Sequence, residues 1–174
     1  SKRDYEQAAY YRDQIIQLRK LQETQCVSGD EGNTDVIAVA INQDIAAVSV
    51  LFIRQGLMIG KRAYFPKMGI ASDIAEVLAA FMMQYYLNEE RLSHAPIDKI
   101  ILSDKLPNKH VVETLLQNYF KRKVVVSDFR GALYKQWQAM AKTNAQYELV
   151  AHLSEKESAL LKLKSIQTVL HLKN

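Results

Sequence analysis

Four carboxylates stand where a metal-assisted hydrolysis could use them. Asp35 precedes the apolar run at 36–41, Glu76 lies early in an amphipathic segment, and Asp104 and Asp128 each follow a short apolar run. Two divalent cations held between such side chains would activate a water and neutralise a leaving oxygen, and hard cations ask for several oxygen ligands each. The placement argues against that chemistry. Val36-Ile37-Ala38-Val39-Ala40-Ile41 has no carboxylate in its interior, and Asp35 stands at its start. Ligand sites of open α/β sheets lie beside the carboxyl ends of the strands. An Asp at a strand end more commonly forms a turn or caps a helix. No catalytic residue and no metal ligand is therefore expected.

Other chemistries are weaker still. His94, His110, His152 and His171 lack the spacing of a zinc site. A single cysteine, Cys26, leaves no intrachain disulfide and fits a reducing compartment. Gly56 and Gly60 read as turn and strand glycines, without a phosphate-cradling loop. Cations are the better candidates. Arg54, Lys61, Arg62, Lys121, Arg122, Lys123 and Arg130 could meet phosphates. A net charge of +4, from 23 basic and 19 acidic residues, permits that contact without demanding it. No stretch approaches the roughly 20 apolar residues of a membrane span, and no signal peptide is visible; a cytoplasmic location is expected.

These side chains are carried by a recognisable series of elements. Residues 1–25 read as a helix, with Tyr5, Ala8, Ala9, Arg12, Ile15, Ile16 and Arg19 on one stripe. The polar run Ser28-Gly29-Asp30-Glu31-Gly32-Asn33-Thr34 marks a domain boundary. Strands are predicted over 36–41, 45–54 and 57–65, joined by turns at Asn42-Gln43-Asp44 and Gln55-Gly56 as an antiparallel meander. A helix then runs from a Ser72 cap to about Asn88, a strand spans 99–103, a helix 108–120 and a fifth strand 123–127. After Gly131 only helix is expected: 132–153 and 155–172, with Ser154 capping the second.

The order β-β-β-α-β-α-β-α implies a mixed five-stranded sheet with helices on both faces. It is the order found in the ribonuclease H-like fold, here expected to be inactive. The domain division reads 1–27 helical arm, 28–34 linker, 35–130 α/β domain and 131–174 terminal helices.

Three motifs carry a family resemblance. Tyr5-Glu6-Gln7-Ala8-Ala9-Tyr10-Tyr11-Arg12-Asp13-Gln14-Ile15 resembles the UVR motif shared by UvrB and UvrC, with Tyr5 in place of its usual Phe and Tyr11 in place of Leu. Val50-Leu51-Phe52-Ile53-Arg54-Gln55-Gly56, followed by Gly60-Lys61-Arg62-Ala63-Tyr64-Phe65-Pro66, is similar to the segment after that motif in the UvrC family. Arg130-Gly131 and Met140-Ala141-Lys142-Thr143-Asn144-Ala145 resemble its Arg-Gly and Ala-x-x-Asn-Ala elements, although Ala132-Leu133-Tyr134-Lys135 stands where charged residues usually follow. In family order the three span nearly the whole chain.

The resemblance implies part of the incision subunit of bacterial nucleotide excision repair, with the chain ending shortly before the family's catalytic Asp-bearing strand. UvrB would dock on Tyr5, Ala8, Ala9, Arg12, Ile15 and Ile16, the second arm of a UVR hairpin that could also pair with its own copy. DNA would be a partner in the repair complex. No cofactor is expected in this region; the parent's nuclease domains would use a divalent metal such as magnesium. The alternatives are a DNA-binding module or a stand-alone metal-dependent nuclease.

Overall fold

A computed structural model describes residues 2–22, 32–69, 73–88 and 96–171. Cys26, Ser72, His94 and linker residues 28–31 lie outside the described residues. The elements are α1 (Lys2–Gln22), β1 (Asn33–Asn42), β2 (Ile45–Arg54), β3 (Leu57–Tyr64), α2 (Ile74–Tyr86), β4 (Lys99–Leu102), α3 (Lys109–Phe120), β5 (Val125–Ser127) and α4 (Ala132–His171). They form an α/β unit with a five-stranded mixed sheet in the order β3-β2-β1-β4-β5.

The first three strands form the meander that the turns dictate. Asn42 pairs with Ile45 and Arg54 with Leu57, so each connection is a two-residue turn. Gln43, Gln55 and Gly56 adopt the positive φ such turns require. β4 and β5 then run parallel to β1, Ile37 lying opposite Leu102 and Ile101 opposite Ser127.

Alternation sorts the central strands between two cores. Ile37 and Val39, with Val48, Val50, Ile100, Leu102 and Val126, face α2 and α3. Val36, Ala38 and Ala40, with Ala47, Leu51, Ile53 and Ile101, face α4. A strand flanked by partners and covered on both faces is shielded along its length, and β1 is buried from Thr34 through Ala40. Along α4, Trp137, Ala141, Ala145 and Leu149 recur every fourth residue and form the lid of the second core. The alanines let the helix approach the small side chains of β1 and β2. The α/β unit expected to end at residue 130 thus takes in the first half of α4.

Two local expectations are corrected. The cap of α2 is Asp73, whose Oδ1 accepts from the Glu76 backbone N–H at 2.8 Å; Asp serves as well as Ser in that role. Ser154 does not divide the last helix, and α4 is continuous over 40 residues. With no Gly or Pro from 132 onward, an interior Ser disfavours the helix only by roughly half a kcal/mol relative to Ala.

Candidate functional site

The four acids are spread apart. β1 begins at Asn33, two residues before Asp35, so Asp35 lies inside the first strand and is fully buried. This corrects the expectation of a first strand without an interior acid. The side chain faces α2, where the Tyr86 hydroxyl donates to Oδ2 at 2.8 Å. Arg54 Nη1 lies 3.0 Å from Oδ1. The same nitrogen donates to the Thr34 and Ile53 carbonyls, each at 2.9 Å. Arg54 and Tyr86 thus both meet the carboxylate, and the guanidinium is held by two strands.

Asp104 follows β4, close to where the Ser103 N–H meets the Ile37 carbonyl at 3.0 Å. The register of β1 with β4 sets it level with Val39, four residues or about 13 Å along the strand from Asp35. Lys142 contacts Asp104 Oδ1 at 3.2 Å and the Ser103 hydroxyl donates to Oδ2 at 2.7 Å. Asp128 lies 3.7 Å from Lys109, both about half exposed, a pairing worth little in water. Glu76 is exposed in the first turn of α2. Among the described residues no three His, Cys, Asp or Glu side chains come together in a group that could hold a metal ion. Each strand-associated acid faces a cation of the protein, so this donor set does not fit a divalent ion.

The candidate phosphate contacts also separate. Lys61 and Arg62 lie on β3 at one edge of the sheet, and Lys121, Arg122 and Lys123 precede β5 at the other. Four strand spacings, about 19 Å, lie between those edges. Arg130 is exposed at the carboxyl end of β5. Arg54 is occupied by Asp35. Lys61 donates to Asn144 Oδ1 at 3.0 Å, while Asn144 Nδ2 donates to the Ser49 hydroxyl at 2.7 Å beneath α4. Asn144, Ala141 and Ala145 are all buried, so the Ala-x-x-Asn-Ala element is a packing and hydrogen-bonding device. Gly131 starts α4 with φ 132° and offers its carbonyl to the Lys135 N–H at 3.0 Å; the positive φ accounts for a glycine there.

α1 packs along α4. Tyr11, Gln14 and Ile15 are half-buried, whereas Tyr5, Ala8, Ala9, Arg12 and Ile16 are exposed, Tyr5 at 79% and Ile16 at 47%. Five of the six expected docking residues therefore share an open face; Ile15 lies on the half-buried side. No described helix is long and apolar enough to cross a membrane.

The strand order, the crossovers and the two helical layers define a ribonuclease H-like α/β domain whose described acids are dispersed. A family model for the UvrC ribonuclease H-like domain matches residues 33–152, and the chain belongs to that family. Among curated relatives, a UvrABC system protein C from Coxiella burnetii is 40% identical over 170 residues, covering 98% of this chain and 28% of that protein. Proteins of the same name from Nitrosococcus oceani and Yersinia enterocolitica are 37% and 35% identical, covering 98% and 97% of this chain and 28% and 27% of theirs. The chain thus spans little more than a quarter of the length of the relatives it matches. A solved Bacteroides thetaiotaomicron protein with an actin-like ATPase fold aligns at 10% identity over 69% of this chain and 41% of that one, with a TM-score of 0.36.

Proposed function

We propose that this chain is a non-catalytic part of the incision subunit of bacterial nucleotide excision repair, holding that subunit's nuclease parts in place and docking on UvrB through α1. The parent reaction would be incision of the damaged strand in the cytoplasm, with divalent metal held by nuclease domains elsewhere in the subunit. Family membership and the dispersed, cation-paired acids support the scaffold reading. The open stripe of α1 carries the docking reading. A helix face with Tyr5 and Ile16 at its ends and Ala8 and Ala9 between them suits close approach of a second helix. A UVR hairpin of UvrB is the proposed occupant; in isolation the same stripe is open to a second copy.

Burial of Tyr5 and Ile16 would each contribute roughly 1.5–3 kcal/mol. The Tyr5→Ala, Ile16→Ala double variant should weaken UvrB capture by on the order of 100-fold, with the helical circular dichroism signal unchanged. Ile15 is left intact because its side chain is half-buried on the other side. Undiminished capture of UvrB by the double variant would overturn the docking reading.

A stand-alone nuclease makes the opposite prediction for catalysis. Incubated with magnesium or manganese and a damaged or flapped DNA, the chain should leave the strand intact. Cleavage that disappears in Asp104→Asn would replace the scaffold reading with that of a metal-dependent nuclease.

A further inference from the structure

The sheet-covering stripe of α4 continues past the sheet. Leu149, Lys156, Leu163 and Leu170 recur every seventh residue, and Leu153, Leu160 and Gln167 form a companion row. Two such rows, alternately three and four residues apart, make a seam for a second helix. The first members serve the core: Leu149 is buried and Leu153 is half-buried against it. Leu160, Leu163 and Leu170 are each more than half exposed. A continuous apolar stripe left open on one helix face marks an interaction surface.

The polar members of the seam indicate what covers it. Between 153 and 170, Lys156 and Gln167 interrupt a row of leucines. Two parallel copies would set Lys156 against Lys156, like charges in one layer. Two antiparallel copies, with Leu160 of each opposite Leu163 of the other, set Lys156 against Gln167 and Leu153 against Leu170. Each polar residue then meets a polar one, and each leucine a leucine. A slip of one heptad either way sets a leucine against Lys156 or Gln167, so these layers fix the register. The flanks agree. Glu157 of each copy comes beside Lys164 of the other, and Ala159 beside Ile166, itself more than half exposed. Two-fold symmetry gives every pair twice. Within one helix Glu157 and Lys164 are seven residues apart, beyond the three or four at which side chains pair.

We infer that residues 153–170 of α4 pair with the same residues of a second copy of this chain, as an antiparallel seam of about five helical turns. Leu160 and Leu163 form its centre, the Lys156–Gln167 layers set its register, and the Glu157–Lys164 pairs set its direction. The inference is independent of docking through α1, whose open face belongs to a different helix.

The test is sedimentation equilibrium of the whole chain from micromolar to millimolar concentration, which should show monomer in exchange with dimer. Leu160→Ser with Leu163→Ser should weaken association roughly 100-fold or more. Glu157→Lys alone, or Lys164→Glu alone, sets like charges side by side twice and should weaken it about tenfold. The two charge changes together should restore it, which no parallel or slipped pairing would do. Tyr5→Ala with Ile16→Ala should leave the dimer as it was. A chain that stays monomeric at millimolar concentration overturns the inference and leaves the seam to a different partner. Dimerisation kept in the leucine variant but lost in the α1 variant assigns the contact to α1 and also overturns it. Failure of the double charge change to restore pairing overturns the antiparallel register.

Discussion

Arg54→Met should lower the stability of the domain by about 3–5 kcal/mol, the range for breaking a buried ion pair from one side. In a chain of this size that is a fall in Tm on the order of 10 °C, readable by thermal circular dichroism. The asymmetry of the pair drives the size of the effect. Asp35 is fully buried, and the change removes the cation paired with its carboxylate while the Tyr86 hydroxyl remains. The Thr34 and Ile53 carbonyls each lose a donor as well. The converse change, Asp35→Asn, should cost less. Arg54 is 19% exposed and keeps both carbonyls, and Asn can still accept from Tyr86. The double variant Asp35→Asn, Arg54→Met should be more stable than Arg54→Met alone, because it removes the stranded charge. A double variant as unstable as the Arg54→Met protein would mean that Arg54 acts through packing against Phe52, over whose ring it lies at 5.8 Å, and not through charge.

The second large effect is expected on the other face of the sheet. Trp137→Ala should destabilise by about 3–5 kcal/mol. The indole is 1% exposed and is the largest side chain under α4, in edge contact with Tyr134 at 5.8 Å. The residues beside it on the helix stripe, Ala141 and Ala145, are too short to fill the space it would leave. Trp137→Phe should retain most of the stability, since it keeps an aromatic ring and removes an Nε1–H that is buried without an acceptor. Urea unfolding followed by far-ultraviolet circular dichroism measures both variants. Equal losses in the two would show that a phenyl ring cannot replace the packing of the indole.

Both pairs bear on how far the sequence alone could lead. The two-residue turns at Gln43-Asp44 and Gln55-Gly56 fix the meander register, and counting back from them sets Asp35 opposite Phe52, one pleat from Arg54. The ion pair was legible in that arithmetic. The apolar run begins at Val36, so hydropathy alone places Asp35 outside the strand. A buried Asp matched by a buried-side Arg does not break a strand, although hydropathy alone says that it should. Tyr86 was harder to find, because it lies next to Tyr85 on α2 and only the rotation of the helix decides which hydroxyl reaches β1. The Ser49–Asn144–Lys61 contacts join residues up to 95 positions apart, and no local periodicity reports such a pairing. The motif containing Asn144 was visible as a motif, but its role required the lid and the sheet together. Ser154 failed as a boundary because capping preference matters only where the chain has another reason to stop. The candidate phosphate contacts were half legible: Lys121-Arg122-Lys123 is conspicuous in sequence, whereas its separation from Lys61 and Arg62 follows only from the strand order.

The unbroken α4 has a geometric consequence. At 1.5 Å per residue its 40 residues span about 60 Å, and the part beyond residue 154 leaves the sheet with Leu160, Leu163, Ile166 and Leu170 exposed. An unbroken helix behaves as a shaft. One residue inserted between 155 and 160 would advance its far end by only about 1.5 Å but rotate it by about 100° relative to the sheet. Insertion of seven residues, nearly two full turns, would restore the original heading about 10 Å further out. Angular phase, more than distance, is what this helix conveys.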